Sequence, residues 1–172
     1  NKNYNLINIS NLKELQQQNE VNLLIAHQLP YDNESYEILK KFQSNGIPIL
    51  YIIGKRTNLN LFNKLNNGIK INAYNNTSQT PALPQFNKDF SLFSISKETI
   101  DILTQLPPLS TPLAKFDASQ SLQTLFYQTQ NTLKTNYPLI TFNNSTDNKS
   151  AIICGEDIWK WRLRNYLQNN ST

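Results

Sequence analysis

Ala151-Ile152-Ile153-Cys154-Gly155-Glu156-Asp157-Ile158-Trp159-Lys160-Trp161-Arg162-Leu163-Arg164 is the stretch on which the reading of this fold turns. Its β-branched apolar start reads as a buried strand, and Gly155 breaks the run. Beyond the break, Ile158, Trp159, Arg162, Leu163, Tyr166 and Leu167 recur at the three-to-four spacing of an amphipathic helix and mark its expected buried face. Trp161, Lys160 and Arg164 are expected to point elsewhere. In open α/β sheets such strand-turn-helix junctions sit at the carboxyl ends of strands, where ligand crevices form. This one also carries the only cysteine of the 172 residues.

Upstream, the first half alternates strand and helix. Tyr4 to Ile9 reads as a strand, Asn11 to Gln18 as a short helix with Leu12 and Leu15 inward, and Val21 to His27 as a buried strand. Asn33 is the expected cap of a helix whose Tyr36, Ile38, Leu39 and Phe42 share a face, and Asn45-Gly46 ends it. Ile47 to Ile53 is a further strand, Gly54 to Asn58 its carboxyl-end loop, and Leu61, Phe62 and Leu65 mark a short helix that stops at Asn67-Gly68. Past Gly68, Ile69 to Tyr74 alternates as a strand, Asn75 to Pro84 reads as a proline-bearing loop, and Phe90 to Ile95 as a short strand. Ser96 caps a helix through Leu103 that Pro107-Pro108 stops. Leu113 to Phe116, Leu122 to Tyr127, Leu139 to Phe142 and Ser150 to Cys154 complete the strands, the last two as a hairpin across Asn143 to Lys149. The final helix is expected from Glu156 to Leu167. Parallel strands with crossover helices first, and antiparallel strands in the C-terminal half, predict a three-layer α/β sandwich of flavodoxin-like type.

Composition bounds the rest. A chain of 172 residues suits a single domain spanning 1–172 with a full core. Its 26 asparagines and 13 glutamines are scattered between regular apolar runs, which argues against an amide-rich aggregating tract. The net charge of +4 is spread over dispersed residues, with Lys55-Arg56 and Lys160 to Arg164 the longest clusters. Counterion release needs several phosphates neutralised together, so a nucleic-acid partner is not expected. No run approaches the roughly 20 apolar residues that span a bilayer, and no membrane contact is expected of this segment itself. No methionine opens the chain, and the reading is of an excised segment of a longer protein.

The residues that carry chemistry are few. Cys154 and His27 are each the sole member of their type, both at strand ends, which raises a cysteine nucleophile activated by histidine. A nucleophile elbow has small residues on both sides of the nucleophile; here Ile153 precedes Cys154, and a buried thiol filling the strand end fits better. One His and one Cys cannot supply a zinc spacing, and no cofactor is expected. Glu156 and Asp157 are expected to begin the last helix and offset its dipole. Gly54-Lys55-Arg56-Thr57 has the flavour of an anion loop. Candidate ligand contacts are therefore His27, Lys55, Arg56 and Glu156 at the strand ends, with Trp161 as an aromatic ledge for a sugar or peptide.

Several segments together resemble a known family. Ile25-Ala26-His27-Gln28-Leu29-Pro30, Ile47 to Gly54 with Thr57-Asn58 and Phe62-Asn63, Leu106-Pro107-Pro108-Leu109, Tyr137-Pro138-Leu139-Ile140 and Gly155-Glu156-Asp157-Ile158-Trp159-Lys160-Trp161-Arg162-Leu163 carry the resemblance. They are similar to the class I glutamine amidotransferase-like domain at the C-terminal end of large membrane-anchored bacterial envelope proteins. The resemblance implies a flavodoxin-like sandwich in a periplasmic or envelope-associated setting. It does not imply catalysis, because the family's Gly-x-Cys-x-Gly elbow and later His-x-Glu pair are absent and His27 precedes Cys154 in the chain. The expectation is a non-catalytic module that serves as an interaction or structural domain, contacting a protein partner or other domains of the same longer chain. The alternatives are a hydrolase or amidotransferase using Cys154 and His27, and a small-ligand-binding domain.

Overall fold

A computed structural model of the chain describes residues 5–10, 14–15, 21–75, 78–145 and 149–169. Its elements are β1 (Leu24–His27), α1 (Asn33–Ser44), β2 (Ile49–Ile52), α2 (Leu59–Asn63), β3 (Ile69–Ala73), β4 (Gln79–Phe86), α3 (Lys97–Thr104), β5 (Leu109–Pro112), β6 (Ala114–Ala118), β7 (Leu122–Gln130), β8 (Leu133–Asn144), β9 (Lys149–Ile153) and α4 (Trp159–Asn169). Among the described residues a seven-stranded sheet runs in the order β1-β2-β9-β8-β7-β4-β5, and β3 pairs with β6 in a small second sheet. β1, β2 and β9 are parallel, and every other ladder is antiparallel. The chain is thus an α/β fold on a mixed sheet.

The parallel strands and α1 follow from their sequence pattern. Ala26, Tyr51 and Ile152 lie in register across β1, β2 and β9, all fully buried on one face. Against that face pack Ile38, Leu39 and Phe42 of α1, Phe62 and Leu65 around α2, and Ile69, Ile71, Ala114 and Phe116 of the small sheet. Leu15 joins this core; the rest of the helix expected over Asn11 to Gln18, apart from Glu14, lies outside the described residues. The cap of α1 falls one residue earlier than Asn33. Asp32 Oδ1 accepts from Ser35 N at 2.8 Å, and Asp32 N donates back to Ser35 Oγ at 3.1 Å. These bonds favour the carboxylate and hold Asp32 below its ordinary pKa, the Ser35 backbone N–H contributing most.

Four expectations are corrected. Asn5 to Ser10 form no strand, and Leu6 and Ile7 are exposed, so apolar alternation there finds no neighbour to pair with; Tyr4 lies outside the described residues. The loop expected over Asn75 to Pro84 is β4 from Gln79 on. Its two prolines lack a ladder donor, yet each lies where a neighbouring strand has run out. β5 pairs with β4 over Gln79 to Ala82 and β7 pairs from Ala82 to Phe86, so Pro81 escapes one ladder and Pro84 the other. Phe90 to Ile95 is irregular, because the rings of Phe90 and Phe93 gather on Phe142 with centroids 5.9 and 5.4 Å away. Finally, Leu109 to Pro112, assigned to no element in the sequence reading, form β5, and Leu133 to Pro138 extend β8 into a long hairpin with β7 across Asn131, whose φ is +54°.

The antiparallel half returns on itself. Ser110, on the far edge strand β5, donates to Glu156 O at 3.2 Å and accepts from Glu156 N at 2.9 Å, so the outermost strand is tied to the chain three residues beyond β9. Gly155 makes this approach possible. A Cβ there would stand 3.0 Å from Leu109 Cβ and 3.1 Å from Ser110 O and Thr111 Cγ2. A second core fills this half, with Ala82, Leu109, Leu125, Phe126 and Leu139 buried and Leu103, Ile153, Ile158 and Trp161 packed around them. Its fully buried amide is satisfied internally. Fully buried Gln128 donates to Pro138 O at 2.8 Å and accepts from Gln130 Nε2 at 2.8 Å.

Gly155→Ala therefore forces β5 away from the end of β9, and overpacking of this kind costs about 1–3 kcal/mol. The urea midpoint of the variant should fall with an unchanged m-value. An unaltered midpoint would show that the close approach has room to give.

Candidate functional site

The carboxyl ends of β1, β2 and β9 lie side by side, so the segments His27-Gln28, Gly54 to Asn58 and Gly155-Glu156 meet along one sheet edge. Open α/β sheets place ligands at such an edge. Here the edge is filled by the protein's own side chains. Lys55 N donates to Glu156 Oε2 at 3.2 Å, and Arg56 N donates to Gln28 Oε1 at 3.1 Å. Gly54, itself buried, lies under both groups: a Cβ on it would meet Glu156 Oε2 at 2.5 Å and Gln28 Cγ at 2.7 Å. Gln28 reaches this position through a left-handed backbone conformation, φ +57°. The backbone donors that would cradle an external anion are thus taken by an internal carboxylate and an internal amide.

The loop is further closed around itself. Thr57 Oγ1 accepts from Gly54 N at 3.1 Å, and Asn58 Oδ1 caps α2 through Leu61 N at 3.2 Å. The Arg56 guanidinium lies 5.7 Å from the centroid of the Tyr31 ring, a cation-π distance, while Lys55 is exposed.

Cys154 and His27 are kept apart by sheet geometry. His27 pairs with Ile52, and Ile52 with Ile153. Side chains in register across a sheet share a face, and successive residues alternate. Cys154, one residue beyond Ile153, therefore points to the opposite face from His27, across two strand spacings of roughly 10 Å in total. The thiol is fully buried in the core with Tyr51 and Ile53, and the imidazole is exposed. Burial alone pushes the thiol pKa far above its ordinary value, so the nucleophilic thiolate is suppressed. Desolvation likewise raises the phenol of Tyr51 next to it, with Asn67 acting in the opposite direction.

Three further residues stand differently from the sequence reading. Glu156 does not begin the last helix, which starts at Trp159; its backbone is spent on Ser110 and its carboxylate on Lys55. Asp157, at φ +77°, pairs with Lys160 Nζ at 2.7 Å. Trp161 is no exposed ledge: it packs on the second core and its Nε1 donates to Pro107 O at 2.7 Å. The face of α4 expected to be buried is instead turned outward, with Trp159, Leu163, Tyr166 and Leu167 all exposed. Periodicity identified the stripe but could not say which side meets the body. Among the described residues no three His, Cys, Asp or Glu side chains gather as a metal donor set. A shallow depression lined by Ser91, Leu92, Ser121, Gln123 and Asn143 to Ser145 lies away from the strand ends and was not signalled by any motif.

No protein-family model and no curated protein sequence matches the chain. Among solved structures, it is similar to part of the exo-β-1,4-mannosidase Op5Man5 from Opitutaceae bacterium strain TAV5, at TM-score 0.51 and 14% identity over 88% of this chain and 23% of that one. A β-galactosidase from Bacillus circulans sp. alkalophilus matches at TM-score 0.44 and 14% identity, over 87% of this chain and 23% of the enzyme. The mmIFT52 N-terminal domain matches at TM-score 0.44 and 16% identity, over 95% and 82%. The chain thus spans about a quarter of the length of either glycosidase, and at 14% identity the likeness to the mannosidase is one of fold. The resemblance to a class I glutamine amidotransferase-like, flavodoxin-like domain is overturned, because the likeness in fold above a TM-score of 0.5 is to part of a mannosidase. The signature that carried it has a local cause: Gly155 admits β5, Glu156 plugs the strand ends, and Trp161 anchors α4.

Two outcomes follow. Cys154 should react with a thiol reagent at neutral pH only as fast as the protein unfolds; rapid labelling of the folded chain would place the sulfur at the surface. Gly54→Ala should crowd the Glu156 carboxylate, and the same change in a Glu156→Ala background should cost less, leaving a coupling of about 0.5–3 kcal/mol in a double-mutant cycle read by urea denaturation. Additive costs would show that the carboxylate does not cover the glycine.

Proposed function

We propose that this chain is a non-catalytic module that serves as an interaction or structural domain of a larger protein. The observation that carries the reading is the occupied strand-end edge: Glu156 and Gln28 fill the place where a ligand would sit, over Gly54. The separation of the enclosed thiol from the exposed imidazole on opposite sheet faces supports it, since a nucleophile and its base must come within hydrogen-bond reach. The size of the matched glycosidase supports the modular part of the reading, because there a chain segment of this fold makes up 23% of a longer protein.

The three-layer arrangement belongs to this proposal. One face of β1, β2 and β9 is covered by α1, α2 and the small sheet, whereas the other carries Ile25, which is 48% exposed, with Leu50, Ile52 and Ala151 half-buried. A third layer contributed by a protein partner or another domain of the same longer chain would complete the sandwich. A periplasmic or envelope-associated setting is part of the proposal as well. A thiol sealed in the core stays unpaired even where the surroundings are oxidising. No helix among the described residues is long and apolar enough to cross a membrane.

His27→Ala and Cys154→Ala should leave the hydrolysis of an activated ester and a thioester at the buffer rate, indistinguishable from the unsubstituted chain. A burst of product that disappears with Cys154→Ala would overturn the non-catalytic reading.

A further inference from the structure

The outward face of α4 has a composition of its own. At about 100° per residue, Trp159, Leu163, Tyr166 and Leu167 form one stripe on the side opposite Trp161, the residue that fastens the helix to the second core. Their exposures are 61%, 47%, 63% and 56%, so the stripe faces away from the body of the protein. Arg162 flanks it on one side, Lys160 and Arg164 on the other, and Trp159 to Asn169 contain neither Asp nor Glu. Lys160 is tied back to Asp157, and both arginines are exposed.

We infer that α4 docks on an anionic lipid bilayer, lying along its surface with Trp159, Leu163, Tyr166 and Leu167 in the headgroup-acyl boundary. Trp and Tyr rings are suited to that depth, being apolar with one polar edge. Arginine stems reach outward from an apolar stripe to place their charges among phosphates. Charge complementarity selects this occupant over a second copy. Two α4 helices meeting through the stripe would bring their flanking cations together, with no carboxylate on either helix to offset them. This goes beyond the proposed module role, and it departs from the expectation that the segment itself makes no membrane contact.

The experiment is co-sedimentation of the whole 172-residue chain with vesicles of phosphatidylglycerol and phosphatidylcholine at low salt, with tryptophan emission recorded alongside. Binding is expected to the mixed vesicles, to be much weaker to phosphatidylcholine alone and at high salt, and to bring a blue shift that Trp159→Ser removes. Arg162→Gln and Arg164→Gln should each weaken binding about fivefold, and Trp159→Ser with Leu163→Ser should abolish it. All four side chains are exposed, and circular dichroism checks that the variants fold. Absence of binding by the folded chain would overturn the inference. So would binding that survives loss of Trp159 and Leu163, which would reduce the effect to general attraction by a basic protein. Self-association without lipid that the same double substitution removes would assign the stripe to a second copy instead.

Discussion

Two backbone hydrogen bonds between Ser110 and Glu156 hold the fold in its closed form. They join the last strand of the antiparallel series to the chain leaving β9, and so lock the second core between them. Gly155 eases this approach, because a Cβ there would stand only 3.0–3.1 Å from Leu109, Ser110 and Thr111. The same two residues set the state of the strand-end edge. With its backbone fixed against β5, Glu156 sends its carboxylate toward the Gly54 loop, where it accepts from Lys55 N. One short junction thereby closes the sheet and fills the crevice that an open sheet would present.

The strict alternation of a β-strand decides the chemistry in a similar way. His27 and Cys154 lie at the ends of strands separated by one strand, but their registers differ by one residue, and that single step puts them on opposite faces. The buried side of β9 gives the thiol an apolar enclosure that favours its neutral form. Proximity in a topology diagram is therefore not proximity of functional groups.

Where local pattern and packing agreed, the sequence was informative. Ile38, Leu39 and Phe42 made α1 legible, unbroken apolar runs made β2 and β9 legible, and Ser96 marked the start of α3. β4 was hidden by Pro81 and Pro84, because whether a proline can sit in a strand depends on where its neighbours stop, and that is a property of the sheet. Phe90 and Phe93 misled in the other direction: the short apolar segment that holds them read as a strand, while both rings gather on Phe142. At the strand ends, the residue types of the edge were readable, but its occupancy was not. Glu156 and Gln28 become plugs only through their reach to Lys55 and Arg56 across neighbouring strands.

The sequence by itself determined the alternation of strands and helices, the burial of Cys154's strand and the existence of an apolar stripe on α4, since each is written in the period of apolar residues along a short segment. Tertiary structure alone decided that β5 returns to Glu156, that thiol and imidazole face apart, and that the stripe on α4 looks outward while Trp161 looks in. The physical reason is that periodicity specifies which residues share a face, whereas what that face meets depends on contacts between segments far apart in the chain.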